Sequence, residues 1–360
     1  MPHSLPSMRT FPRDYASVMD LVSTMFGHVT KPPLTREGAT TPSVPRASAT
    51  QDRLVGIDLV RVVGVVAIIA GHVFGGRATG YSIYSWHVPL FFFLSGYLWR
   101  SKRSLRDEVS RRARTLLVPY IIWLVIVSAI WAVFLSPKKR PSEPVRDLLF
   151  GGSYIGGLYG PFWFVTCLFA AAVIMRATWN VHQGLPLVVG IAGLAWSAVD
   201  PQSLKAWPLA IGLAIPAVFI MCVGLWFRRI HPRIRRPHLV GLVVLGLSMT
   251  LALLHVGGQV SMKGGSLGRP VLGVGLACAI SAGLLLTCTW LAEHFSDRSM
   301  ATVVALAECS LMVILTHSFV ISTARVSGLS SSLAIFTLAV VVPFAAALVI
   351  RRTPLRSYLL

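Results

Sequence analysis

The run from Leu54 to Phe74, LVGIDLVRVVGVVAIIAGHVF, is apolar and long enough to cross a bilayer, yet it carries Asp58, Arg61 and His72. A charge at the middle of a membrane helix costs about 3 kcal/mol or more unless it is paired or faces a wet cavity, so such residues mark functional sites. Arg61 and His72 are eleven positions apart. On a helix this is three turns plus about 20°, which sets both on one stripe roughly 16 Å apart along the axis. Asp58 lies one turn before Arg61 and can pair with it.

The same apolar density runs through the chain. Of 360 residues 54% are hydrophobic and 13% charged, with a mean hydropathy of +0.69, which excludes disorder and an ordinary soluble domain. The reading is an all-α polytopic membrane protein. Apolar spans fall at about 54–74, 84–100, 116–135, 159–178, 184–198, 207–227, 238–256, 270–291, 300–322 and 333–350, giving about ten transmembrane helices. Three regions result: a disordered cytoplasmic N-terminal tail (1–52), a ten-helix membrane domain (53–352) and a short cytoplasmic C-terminal tail (353–360). Within the first tail, Ala16 to Val29 reads either as a short interfacial helix or as flexible chain.

A net charge of +20 would suit nucleic acid, but the basic residues sit mainly between spans. With the N-terminus inside, the inner loops and C-terminal tail hold 17 Lys and Arg and the outer loops 9, which puts both termini in the cytoplasm of a plasma-membrane protein. The basicity is thus a topology signal, with anionic lipid or an anionic substrate as a further use and nucleic acid excluded. The five cysteines, Cys167, Cys222, Cys278, Cys288 and Cys309, all lie in spans without CxxC spacing, and the histidines form no ligand cluster. Neither a disulfide frame nor a metal site is expected.

Five stretches in series carry a resemblance: IDLVRVVGVVAIIAGH with its R-x10-H spacing, YSWHVPLFFFLSGYLWR, RRARTLLVPY, GPFWFVTCLF and ECSLMVILTH. Over about residues 53–350 the chain resembles the membrane-bound acyltransferase family 3, and the Gly before His72 and the HVPLFFFLSGY wording look most like its sugar O-acetylase branch, which includes fucose 4-O-acetylases. The resemblance implies transfer of an acyl group, usually acetyl from acetyl-CoA, to a hydroxyl of a surface carbohydrate, glycolipid or small acceptor. By motif position it implies roles for Arg61 and His72, for Arg111 and Arg114, for Trp163, and for Ser310 and His317. Many members have Tyr four residues after that serine; this chain has Ile314, so a tyrosine hydroxyl is absent from the closing motif.

The residue types suit that chemistry. Acylating a hydroxyl needs a base, and neutral His, with a reference pKa of about 6.5, fits; the alternative for His72 is a cap at the helix end. Arg61 either holds the donor or a developing oxyanion or serves only as the partner of Asp58. Arg111, Arg112 and Arg114 suit the phosphates of coenzyme A or act as a plain inner-face anchor. His87 lines the site or packs. Trp163 stacks on a ligand or anchors at the interface. Ser310 and His317 are seven apart and share a face, so His317 is either a second polar wall or a buried hydrogen-bonded side chain. Glu308 needs a partner in its span or a proton. The competing class is a transporter or flippase coupled through charges in the membrane, which wants matched halves with broken helices. The halves of this chain do not mirror each other.

Overall fold

The computed structural model describes residues 46–135 and 145–360. Of the expected N-terminal tail, residues 1–45, including the stretch 16–29, lie outside the described residues, whereas 46–52 form the opening turns of a helix. The principal helices are α1 (Arg46–Val73), α2 (Pro89–Tyr97), α3 (Leu105–Arg112), α4 (Val118–Ile130), α5 (Phe162–Val181), α6 (Leu185–Val199), α7 (Ile211–Ile230), α8 (Pro237–Leu253), α9 (Pro270–Ala292), α10 (Asp297–Glu308), α11 (Ser310–Val326) and α12 (Ser332–Ile350). Among the described residues strand is confined to one antiparallel pair, Val260–Ser261 with Ser266–Leu267. The protein is an all-α polytopic membrane protein.

The count of ten crossings is corrected. Six helical segments are long and apolar enough to cross a membrane: Leu54–Val73, Leu105–Val133, Gly157–Val181, Pro208–Arg233, Val271–Ala292 and Ser332–Ile350. The pair α10 and α11, bent by 63°, makes a seventh if taken as one span. An apolar run fixes composition but not helix length. The expected span at 84–100 is interrupted by turns, and Pro89 opens a helix of only 9 residues. That helix rises about 14 Å, half of a hydrocarbon core of about 30 Å. α6 and α8, with 15 and 17 residues, are apolar but also short. The span at 300–322 breaks at Cys309: α10 is amphipathic, burying Val303 and Ala307 while Asp297 and Arg298 stay exposed, and α11 is buried along most of its length.

The elements pack through small residues, as expected where lipid tails offer no hydrophobic drive between helices. α2 and α7 touch backbone to backbone. A Cβ placed on Gly96 would run into the Met221 carbonyl, and one on Gly224 into the Phe93 carbonyl. Around this seam Phe92, Phe93, Leu90 and Met221 are fully buried. Outward faces such as Val125 on α4, Val243 and Leu247 on α8 and Val341 on α12 are exposed and suit acyl chains. Because the obstruction at Gly96 is main chain, Gly96→Val is expected to destabilise by about 1–3 kcal/mol or more and to lower the yield of monodisperse protein in fluorescence-detected gel filtration; a wild-type elution profile and melting temperature would refute the seam.

The ends of α10 and α12 meet beside α1. Glu308, at the foot of α10, is ion-paired with Arg351 just after α12, and it acts electrostatically on Asp58 midway along α1. The C-terminal segment folds back, with Trp123 Nε1 donating to the Leu359 carbonyl at 2.9 Å.

Candidate active site

α1 carries the site because its apolar residues hold it in the bundle while two glycines admit close neighbours. A Cβ at Gly56 would meet the backbone of Thr289, and one at Gly64 would press on Leu90 and Phe91. Midway along α1, Arg61 Nη1 donates to Asp58 Oδ1 at 2.8 Å, with the Arg61 side chain 38% exposed. The pair is satisfied and still offers a guanidinium face.

That face opens on a cavity of about 170 Å³. Its charged lining is Arg61, Arg100, Arg103, Arg111, Arg112 and a single carboxylate, Glu108, while Phe91, Leu94 and Leu168 supply apolar wall. Glu108 is 1% exposed and accepts from Arg103 Nη1 and Arg112 Nε, each at 2.9 Å. Arg176, fully buried on α5, stands 3.7 Å from it. Arg112 also donates to Ser95 Oγ at 2.9 Å. Arg176 donates to the Ser101 carbonyl at 2.9 Å and to that of Arg100, and lies 4.0 Å over the Trp99 ring. One carboxylate therefore organises three guanidiniums and fixes the loop between α2 and α3. The rest of the lining remains cationic, a setting in which planar forks match phosphate oxygens.

Arg114 is not part of this cavity. Residues 113–117 form a π-helical turn after α3, which widens the winding and breaks the three-residue alignment with Arg111. Arg114 is exposed and does not line the cavity, whereas Arg111 does. Sequence reasoning missed Arg100, Arg103, Arg176 and Glu108. Glu108 and Asp107 are the acidic residues among seven basic ones from 100 to 115, a usable signal, because one buried carboxylate in such a loop must gather its cations.

The second cluster lies at the other end of α1. His72 faces His317 of α11, with ring centroids 5.1 Å apart at 64°. His317 is fully buried; its Nδ1 donates to the Val313 carbonyl at 3.1 Å, which leaves Nε2 to accept from Ser318 Oγ at 3.4 Å. Gly160, in the turn before α5, borders the His72 ring: a Cβ there would come 3.9 Å from His72 Cε1. His87 is buried against Tyr84, centroids 4.8 Å apart, and its Nδ1 donates to the Ile83 carbonyl at 2.9 Å. Tyr84 in turn donates to the Gly71 carbonyl at 3.1 Å, one residue before His72. The turn that interrupts the second span thus brings an imidazole and a phenol to the end of α1.

The remaining sequence candidates are more scattered. Trp163 is buried in the first turn of α5 near Gly160 and meets Phe164 edge to face. Ser310 is buried with its hydroxyl turned toward the Leu306 carbonyl at 3.5 Å, and the bend at Cys309 separates Glu308 from the His317 stretch of α11. Glu308 has found a partner, Arg351, and belongs with the Asp58 end of α1. The cavity wall includes Arg61 but not His72. Between them, Phe91 fills the space against Gly64 and packs edge to face on Phe164, centroids 5.4 Å apart. Among the described residues no cluster of three His, Cys, Asp or Glu could hold a metal.

Comparison with known proteins supplies the frame for this geometry. A family model described as an acyltransferase domain matches residues 54–352, which takes in both clusters. The nodulation protein NolL of Mesorhizobium japonicum is 23% identical over 176 residues, 45% of this chain and 45% of its own; the match thus spans under half of that relative's length. No solved structure matches.

Proposed function

We propose, from the premise that this chain belongs to the acyltransferase-domain family and is a membrane acyltransferase, that it transfers acetyl from acetyl-CoA to a hydroxyl of a surface carbohydrate, glycolipid or small acceptor, with His72 as general base. The observation that carries the reading is the furnishing of one helix: Arg61 stands in a guanidinium-lined cavity near its middle, and His72 pairs with His317 near its end.

In this reading the phosphates of the donor rest on Arg61, Arg111 and their neighbours, on the cytoplasmic side of the plasma membrane, where coenzyme A is made and where the excess of basic loops points. Both chain ends then lie inside, in keeping with the meeting of Asp58, Glu308 and Arg351 on one face. The thioester reaches toward His72 past Phe91. The acceptor hydroxyl gives its proton to the free imidazole nitrogen of His72 as its oxygen attacks the thioester carbonyl. Collapse of the tetrahedral adduct breaks the carbon–sulfur bond; the thiolate takes up the proton and leaves as the free thiol, and the acyl group stays on oxygen as an ester. Direct attack by the acceptor accounts for the transfer in one step, without an acyl-enzyme on a protein hydroxyl or thiol. His317, held by Val313, packs against the base and limits its rotation.

Membranes carrying the protein, given acetyl-CoA labelled in the acetyl group, should incorporate label into an alkali-labile ester of the envelope glycan or glycolipid fraction. Movement of an acceptor across the membrane without covalent label would instead favour the transporter alternative. Arg111→Gln is expected to raise KM for acetyl-CoA by about tenfold, the scale of one charge-assisted hydrogen bond, with a smaller change in kcat. An unchanged KM would remove Arg111 from the donor site.

A further inference from the structure

Three helices each carry a row of residues that begins at the guanidinium-lined cavity and ends at the histidines. On α1 the row is Arg61, Gly64 and His72. On α2 it is Leu94 and Phe91, with His87 in the turns before the helix, and on α5 it is Leu168 and Phe164, with Gly160 in the turn before it. Spacings of three and four residues keep the α2 and α5 rows each on one side of its helix. Leu94, Phe91 and Leu168 line the cavity beside Arg61. At the far end Gly160 borders the His72 ring, and His87 packs on Tyr84, which donates to the Gly71 carbonyl.

The rows close on one another between these ends. A Cβ on Gly64 would come 2.9 Å from Phe91 Cζ, so the ring reaches α1 because that position has no side chain. The same ring meets Phe164 edge to face, centroids 5.4 Å apart, and Phe164 is buried. Gly64 lies about 4.5 Å along the axis from Arg61 and about 12 Å from His72. Phe91 therefore bridges α1 and α5 at the edge of the cavity. On the arginine side Arg111 is exposed, so water reaches the cavity; beyond the ring pair stands the imidazole.

We infer that Phe91, seated on Gly64 and Phe164, is the residue that makes the reaction select the acceptor hydroxyl over water. The inference rests on the reading of the arginine cavity as the donor site and of His72 as the base, and it adds what protects the thioester from hydrolysis. A base beside a thioester activates water as it activates an alcohol. The water oxygen would attack the carbonyl while its proton passes to His72 and on to the departing thiolate, giving acetic acid and free thiol. The Phe91–Phe164 contact interrupts the file of water that would run from the cavity to His72, and the arm of the donor fills the opening it makes when it passes.

The test measures release of labelled acetate and of free thiol from acetyl-CoA by the purified full chain with no acceptor present, beside formation of alkali-labile ester in membranes carrying the same protein. Phe91→Ala is expected to raise acceptor-free hydrolysis over wild type by about tenfold, the scale of one aromatic pair contact. Adding His72→Ala should return it to the wild-type rate. A folded Phe91→Ala protein that hydrolyses no faster than wild type overturns the inference. So does a leak that survives His72→Ala, because water would then reach the thioester by another road. If Phe91→Ala does not fold, Phe91→Leu, which keeps an apolar side chain against Gly64 but loses the ring pair, should leak in the same direction, and an unchanged rate overturns the inference as before. Wild-type membranes that form no ester remove the O-acylation reading itself, whereas ester formation with an unchanged leak removes this inference alone.

Discussion

Replacing His72 by alanine is expected to lower acyl transfer by roughly 10²–10⁴-fold, the usual contribution of a positioned general base, while the protein stays folded. The fold should tolerate the change because His72 sits at the last turn of α1 and is only partly buried. The hydrogen bond that Arg325 makes there goes to the His72 main-chain carbonyl, which alanine keeps. The loss should fall on kcat, with KM for acetyl-CoA little changed, because the guanidinium-lined cavity lies about 16 Å away along the helix. His72→Gln provides the shape control, an amide of similar reach that cannot take the proton, and should be equally inactive. Labelled-acetyl incorporation by purified, monodisperse variants checks the claim. A folded His72→Ala protein with the wild-type rate would end the assignment.

The largest expected effect on stability comes from Glu108→Gln. The carboxylate is buried against Arg103, Arg112 and Arg176, and removing its charge leaves those guanidiniums facing one another in a region poor in water. Breaking a buried ion pair by deleting one partner costs about 3–5 kcal/mol, because the remaining charge is uncompensated. Glutamine preserves shape and some hydrogen bonding, so the loss should be read as charge. Thermal unfolding in detergent should show a clear fall in Tm for Glu108→Gln. It should also show partial recovery when Arg103→Met is added, since the two sites share one network and their effects are not additive. Equal Tm values for Glu108→Gln and wild type would mean that the cluster contributes nothing to stability.

How much of this was legible in the sequence depended on the kind of signal. The Asp58–Arg61 pair and the stripe shared with His72 follow from helical geometry within one element, and the pair forms as the spacing implies. Residues joined by the path of the chain were harder to place. His72 and His317 come from opposite ends of the sequence, and only the motif resemblance linked them; the 5.1 Å approach of their rings is a tertiary fact. The apolar run at 84–100 marks burial without fixing helix length, and Pro89 with the turns before it cuts the helix short. The three-residue spacing of Arg111 and Arg114 aligns them only under regular α winding, which the π-helical turn at 113–117 breaks. Glu108 is not legible as a site residue because surface charge and buried charge look alike in a basic loop, and only packing on Arg176 distinguishes them.

The contact at Gly96 and Gly224 governs which parts of the bundle can move. On the face of α2 that meets α7, Gly96 is bordered one turn below by Phe92 and Phe93, so a slide that carries the Met221 carbonyl off Gly96 toward them meets bulky side chains, and the two helices travel as a single plate. Phe91 is mounted on that plate. Any passage from the arginines to the histidines must therefore open by a swing of the Phe91 ring or by retreat of α1 or α5 from it, and a crosslink between α2 and α7 should leave turnover intact where one between α2 and α1 arrests it.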